Sequence, residues 1–115
     1  MYRLRYSDIQ EDSVAEARER ERDLIQRSID LLEAARDAGP NALVGAEATH
    51  FTVRLWSSFL EDLSSDDNQL PKELRANLIS IGIWILRETE EIRQDRSDNY
   101  DGLIDISRII RDGIR

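Results

Sequence analysis

Apolar residues recur along most of this chain at intervals of three and four, the spacing that places side chains on one face of an α-helix. The pattern becomes regular at Ser13, where Ser13 and Glu16 match a capping box, and it stops at Gly39 and Pro40. This predicts a first helix between those points. Its inward face is expected to consist of Ala17, Leu24, Ser28, Leu31, Leu32 and Ala35, with Ile25 beside them.

The second periodic segment runs from Asn41, a candidate N-cap, to about Leu63. Two adjacent apolar stripes follow it. The inner stripe is Val44, Ala48, Phe51, Leu55 and Phe59, and the other is Val53, Trp56, Leu60 and Leu63. Together they form an apolar arc wider than one neighbouring helix requires. The second helix therefore either lies between two others or leaves a patch for a partner.

The third segment follows a polar loop at residues 64–69 and begins at Pro71, which suits the first turn of a helix. It contains "NLISIGIWIL", residues 77–86, whose apolar side chains surround the helix on nearly every side. A helix of this kind is normally buried. We therefore predict that the third helix is the central one and that Trp84 belongs to the core, the alternative being that Ile83 or Trp84 is shared with a partner.

A short fourth helix is predicted at residues 100–113, after a turn in which Ser97 or Asn99 serves as the cap. Its inward stripe is Leu103, Ile106, Ile110 and Ile114. Alternating apolar residues make us expect an extended arm at residues 1–6. That arm carries Tyr2, Leu4 and Tyr6. The sequence thus predicts one domain, residues 1–115, with an all-α, compact four-helix bundle-like fold and a short extended N-terminal arm.

The composition narrows the classes of function. Acidic residues outnumber basic ones by 24 to 16, and the net charge of -8 opposes direct binding to nucleic acid. The chain has no cysteine, which removes disulfides and thiolate metal ligands. No apolar run is long enough to cross a membrane or to act as a secretory signal. We therefore expect a cytoplasmic protein without membrane contact.

The sequence contains few candidates for catalytic residues. His50 is the only histidine, and its helical neighbours Val53 and Arg54 are neither a metal partner nor a nucleophile. Carboxylate pairs such as Glu61 and Asp62 are adjacent in sequence, and adjacent side chains on a helix point about 100° apart. There is no glycine-rich phosphate loop and no nucleophile elbow. We therefore expect no enzymatic activity, no metal site and no cofactor.

Five runs of the sequence carry a family resemblance. They are "MYRLRYSDIQEDSVAEARERER" (1–22), "SIDLLEAA" (28–35), "RLWSSFLEDL" (54–63), "LPKELRANLISIGIWILRE" (70–88) and "SDNYDGLIDISRIIRDGI" (97–114). In this order, over essentially the whole chain, they resemble FlaF, the flagellar biosynthesis regulator of alphaproteobacteria. The resemblance implies a non-enzymatic cytoplasmic protein needed for flagellin production and filament assembly, with flagellin and the regulator FlbT as partners. The flagellin chaperone FliS is similar at the level of fold, as another four-helix protein with a tyrosine-containing N-terminal segment.

Two functions are open under this resemblance. In the first, the protein binds flagellin in the cytoplasm as an export chaperone and assembly factor, and supports flagellin synthesis and secretion. In the second, it regulates flagellin translation through FlbT without binding RNA. A third possibility is a helical module whose apolar stripes join two copies, so either a monomer or a weak homodimer is expected.

A chaperone of this kind needs a groove for an amphipathic flagellin helix. Apolar residues that lie beside the inward stripes are the candidates for that groove. The predicted partner-binding residues are Tyr2, Leu4, Tyr6, Val53, Trp56, Leu60, Ile83, Trp84, Ile104 and Ile109. The alternative is that these positions belong to the core of the domain.

Overall fold

In a computed structural model of the protein, the backbone is described for residues 2–114 and the side chains for residues 14–114. Four helices make up the described chain: α1 (Tyr2–Ala38), α2 (Leu43–Leu63), α3 (Lys72–Arg93) and α4 (Tyr100–Gly113). No strand occurs in residues 2–114. The predicted all-α, four-helix bundle-like fold is confirmed.

The predicted extended arm is wrong, because α1 is helical from Tyr2 onward. Ser13 therefore lies within the helix and does not cap it. The chain before Gly39 contains no glycine or proline, and its many Glu, Arg and Ala residues favour a continuous helix. The side chains of Tyr2, Leu4 and Tyr6 lie outside the described residues, and so does their predicted contact with a partner.

The turn between α1 and α2 uses left-handed backbone at two positions, Gly39 with φ 83° and Asn41 with φ 67°. Asn41 thus belongs to this turn and is not the cap of α2, whose N-terminal flanking residue is Ala42. At α4 one of the two predicted caps is confirmed. The side-chain oxygen of Asn99 accepts a hydrogen bond from the amide of Gly102 at 3.0 Å.

The helices pack as neighbours around a bundle. α1 packs against α2 and α4, and α2 packs against α3. α3 and α4 meet over only a short stretch, and within the described residues the diagonal pairs do not approach each other. α4 runs antiparallel to α1, because Arg36 bonds to Asp101 at one end and Arg22 bonds to the Ile114 carbonyl at the other. The bundle is therefore open along one side, between α3 and α4.

The centre of the core is α1 and not α3. α1 buries Ile25, Ser28, Ile29, Leu32 and Ala35, whereas α3 buries Gly82, Ile85, Thr89 and Ile92. The prediction that α3 is the central helix is wrong, because α3 has only one closely packed neighbour. Trp84, predicted in the core, is 41% exposed for the same reason.

Candidate partner-binding surface

α3 keeps much of its apolar surface on the outside of the bundle. Leu74 is 46% exposed, Ile83 39% and Trp84 41%. Single exposed apolar residues are common on soluble proteins, but several on one helix are typical of an interaction surface. α3 is therefore the first place to look for a partner-binding site.

Gly82 determines how α3 lies on α2. A Cβ atom at Gly82 would lie 2.8 Å from Leu60 Cδ2 and 3.1 Å from Trp56 Cε3, so the two helices approach closely there. Around the axis of α3, the fully buried Ile85 lies about 60° from Gly82. Trp84 lies a further 100° or so from Ile85 in the same direction of rotation. Trp84 is therefore turned away from α2, toward the open side of the bundle.

α4 brings further isoleucines to this open side. Arg108 and Arg111 contact polar groups on α1 and so mark the α1-facing side of α4. Ile109 lies away from both arginines around the helix and is 65% exposed. Ile106 and Ile110 are partly buried against the core. We define the α3–α4 seam as Ile81, Trp84, Ile106, Ile109 and Ile110.

α4 and α2 end at about the same level of the bundle, well before α1 does. The end of α4 reaches only the level of Arg22 in α1, whose Nη1 donates to the Ile114 carbonyl at 3.2 Å. At this level α1 lies beside the end of α2, since Glu21 and Asp62 are close enough to repel. Gly82 of α3 already packs on the last two turns of α2. The first turns of α3 therefore extend past the ends of both α2 and α4.

Two lines of core residues continue into the region that α4 does not reach. On α3, Ile85 is fully buried, but Leu74, about three turns earlier on the same line, is 46% exposed. On α1, Ile25 is fully buried, but Val14, also about three turns earlier, is 52% exposed. Both lines face the space beyond the ends of α2 and α4. We define the open end as Val14, Arg18 and Glu21 of α1 with Leu74 and Leu78 of α3.

Glu21 of the open end lies among other charged groups. Burial, followed by the nearby carboxylate of Asp62, raises the pKa of Glu21, while Arg18 and Arg20 offset the effect in part. Further carboxylates lie at the end of α2 and in the loop after it: Glu61, Asp62, Asp66 and Asp67. Among the described side chains, neither Glu21 nor this group takes part in an ion pair. Basic side chains lie at the same end, among them Arg18 and Arg20 beside Glu21, so carboxylates and cations are mixed there.

Five of the predicted partner-binding residues lie at the surface. Ile83, Trp84 and Ile109 are exposed, and Val53 and Leu60 are partly buried. The structure does not bring them into a single patch, because Ile83 and Trp84 point about 100° apart on α3. Their contact with a partner stays a prediction.

Two other predicted residues are core residues and are not on the accessible surface. Trp56 is 2% exposed and Ile104 is 1% exposed. Trp56 packs edge-on against Phe59, with ring centroids 5.2 Å apart, and α3 covers it at Gly82. The apolar arc formed by the two stripes of α2 is thus wide because α2 lies between α1 and α3. This is one of the two alternatives that the sequence left open.

The sequence did not single out Val14, Leu70 or Leu74 for a surface role. Leu74 has the same position around α3 as the buried Ile85. It is exposed because both α2 and α4 end before they reach its level. The short fourth helix that the sequence predicts is the signal for this exposure.

A second concavity lies at the opposite end of the bundle. It is an open cleft of about 1020 Å³ between the α1–α2 turn and the α3–α4 loop. Its arginines Arg36, Arg93 and Arg96 each pair with a nearby carboxylate, so the cleft offers no excess positive charge. Among the described residues, no group of His, Asp and Glu side chains is placed to hold a metal ion. In the same part of the chain, no helix is long and apolar enough to span a bilayer.

Comparison with known proteins bears on the resemblance seen in the sequence. A family model described as flagellar protein FlaF matches residues 2–114. No curated protein and no solved structure matches the chain. Because the family match covers nearly its whole length, the chain belongs to the FlaF family of flagellar proteins.

Proposed function

We propose that this protein binds flagellin in the cytoplasm as an export chaperone and assembly factor, and that it supports flagellin synthesis and secretion. The observation that carries the proposal is the exposed apolar surface of α3, above all Ile83 and Trp84. Family membership supplies the flagellar context. Large exposed side chains such as tryptophan are the anchors that dominate binding energy at protein interfaces.

Helix-in-groove docking is the physical form that this binding takes. A flagellin subunit must keep its amphipathic helices from polymerising before export, so a chaperone covers an apolar helix face with apolar side chains of its own. Trp84 lies on the α3–α4 seam, where Ile106 and Ile110 are already half covered by the core. A partner helix on the seam would bury Trp84 and Ile109 without any rearrangement of the core.

The net charge of -8 supports a protein ligand over an RNA ligand, since RNA binding rests on neutralised phosphates. A translational role is then indirect, through FlbT. This regulatory function is the alternative, and it predicts a complex with FlbT in place of one with flagellin.

Titration calorimetry with purified flagellin tests the proposal. We expect one-to-one binding, roughly micromolar or tighter, that is lost when the C-terminal helix of flagellin is removed. Trp84→Ala should weaken it at least about tenfold. Leu43→Ala is the matched control, because Leu43 is 86% exposed at the other end of the bundle and should matter by no more than about twofold.

Absence of heat and of any complex with flagellin would overturn the proposal, and a complex with FlbT alone would favour the regulatory alternative. Binding that Trp84→Ala and Ile83→Ser both leave unchanged would remove α3 from the site. Cooperative thermal unfolding of each variant shows that a loss of binding is not a loss of fold.

A further inference from the structure

One side of α3 faces away from the rest of the bundle. Gly82 and the fully buried Ile85 mark the packed side of the helix. The side opposite to them, at 100° of rotation per residue, consists of exposed positions. We define the outer face of α3 as Glu73, Ala76, Ser80, Ile83 and Arg87. Trp84 lies at its edge, on the side toward the α3–α4 seam.

The outer face carries opposite charges at its two ends. Glu73 lies in the first turn of α3, and Arg87 follows it at a distance of about 21 Å along the axis, so the two cannot pair within one chain. Among the described side chains, neither takes part in an ion pair. Lys72 and Glu90 repeat the pattern on the neighbouring edge, although Arg93 already binds Glu90. The outer face is therefore complementary in charge to a second outer face that runs in the opposite direction.

The middle of the outer face suits close packing of two helices. Ala76 and Ser80 are small and lie one above the other, because they are one helical turn apart. In an antiparallel pair of α3 helices centred near Ser80, Ile83 of one copy lies opposite Ile79 of the other. Ile83 is 39% exposed, so this contact would remove apolar surface from water.

We propose that two copies of this protein associate through the outer face, with their α3 helices antiparallel. Arg87 of each copy pairs with Glu73 of the other copy, since two-fold symmetry makes every contact occur twice. The contact involves one helix from each copy, so it is smaller than the roughly 1,200–2,000 Å² of a stable complex. We therefore expect a weak dimer, with a Kd of about 10–100 µM. The α3–α4 seam of each copy lies beside the contact and stays open.

Sedimentation equilibrium at about 150 mM salt, over about 10–500 µM protein, tests the dimer and its charge pairs. Arg87→Glu places two carboxylates opposite each other, and Glu73→Arg places two arginines opposite each other. Each single variant should therefore dimerise at least about tenfold more weakly than the wild type. Both residues are exposed, so each variant should still unfold cooperatively.

Mixing the two single variants distinguishes a contact between copies from an effect within one copy. In a mixed dimer, the glutamate at position 87 faces the arginine at position 73, and Glu73 of the first variant faces Arg87 of the second. An equimolar mixture of Arg87→Glu and Glu73→Arg should therefore dimerise about as well as the wild type. The distance of about 21 Å between the two positions prevents such a recovery within one chain.

The apolar part of the contact is tested with Ile83→Ser in the same experiment. This variant should weaken the dimer by about fivefold or more, because the contact with Ile79 is lost. Ile109→Ser is the matched control. Ile109 is 65% exposed on α4, outside the outer face, and its replacement should change the dimer by no more than about twofold.

Three results would overturn the inference. The first is a wild-type protein that stays monomeric up to about 500 µM. The second is a dimer that neither Ile83→Ser nor Arg87→Glu weakens, which would place the contact on another face. The third is a loss of dimer in both charge variants with no recovery in their mixture. Flagellin is absent from these measurements, so their failure leaves the proposed function standing.

Discussion

The burial of α1 and α3 is the reverse of what their compositions indicate. α1 is rich in Glu, Arg and Asp, yet it buries the line from Ile25 to Ala35 against two neighbours. α3 contains the most apolar run of the chain, yet Ile83 and Trp84 lie at the surface. The number of packed neighbours, and not the hydrophobicity of the helix, decides how much of it is buried. An apolar helix with one neighbour is left with a face for a partner.

The two tryptophans give the largest expected contrast. Trp56 is 2% exposed, so Trp56→Ala should lower the free energy of unfolding by about 3–5 kcal/mol. Trp84 is 41% exposed, so Trp84→Ala should lower it by only about 1–2 kcal/mol. Urea unfolding of both variants measures this difference. Equal losses would show that Trp84 is as buried as Trp56 and that α3 has a second packed neighbour.

Two aliphatic residues, one buried in α1 and one exposed on α3, allow the same comparison between these helices. Leu32 of α1 is fully buried, and Leu32→Ala should cost about 2–5 kcal/mol of stability. Ile83 of α3 is 39% exposed, and Ile83→Ala should cost about 1 kcal/mol or less. A larger loss at Ile83 than at Leu32, measured by chemical denaturation, would restore α3 as the central helix.

Gly82 offers a smaller effect whose sign is informative. Replacing a helical glycine with alanine normally stabilises by about 1 kcal/mol. At Gly82 the new Cβ would meet Leu60 and Trp56, and overpacking typically costs about 1–3 kcal/mol, so we expect Gly82→Ala to be neutral or destabilising. Gly45→Ala is the control, because the new Cβ would lie at an ordinary contact distance of 3.6 Å from the Tyr100 hydroxyl. This variant should therefore stabilise the protein. Stabilisation at Gly82 would show that α2 and α3 pack less closely.

The smallest effects are those of two carboxylates with opposite pKa shifts. Hydrogen bonds from Arg93 and then Gln94 lower the pKa of Glu90 from 4.5 to about 2, so Glu90 favours folding above its ordinary pKa and this gain is lost as the pH falls toward about 2. Burial and Asp62 raise the pKa of Glu21, so its ionisation opposes folding as the pH rises through the raised pKa.

At about pH 7, Glu90→Gln should therefore lower stability slightly and Glu21→Gln should raise it slightly. The Glu90 side chain is 44% exposed, and screening by solvent keeps its effect small. Urea unfolding at about pH 7 and about pH 3 measures both signs. A loss of stability on Glu21→Gln at neutral pH would show that the nearby Arg18 and Arg20 outweigh the burial of Glu21.

Helical periodicity was enough to predict the four helices, and it placed the three connecting turns correctly. It assigned the buried face of α1 imperfectly, since Leu24 is 41% exposed and Ile29, which was not on the predicted face, is 1% exposed. Neighbouring positions on a helix differ by about 100°, and only the packed partners fix which edge of the stripe is covered. The N-terminal arm was mispredicted because a capping box can also occur inside a longer helix.

The candidate site was harder to predict than the fold. Ile83 and Ile109 were identified correctly as surface residues, because they lie beside the inward stripes of their helices. Trp56 was misplaced because α3 covers it at Gly82, and the exposure of Leu74 was missed because α2 and α4 both end before its level. Both errors come from contacts between helices, which the period of a single helix does not contain.

The central claim is that residues 72–86 of α3 form the surface that flagellin covers. Hydrogen exchange of the protein, measured by mass spectrometry with and without full-length flagellin, tests it most directly, because burial by a partner slows the opening of the covered helix. We predict slower exchange in residues 72–86 on addition of flagellin and unchanged exchange in residues 39–46 at the opposite end. Slower exchange confined to residues 39–46 and 94–99, with residues 72–86 unchanged, would contradict the claim.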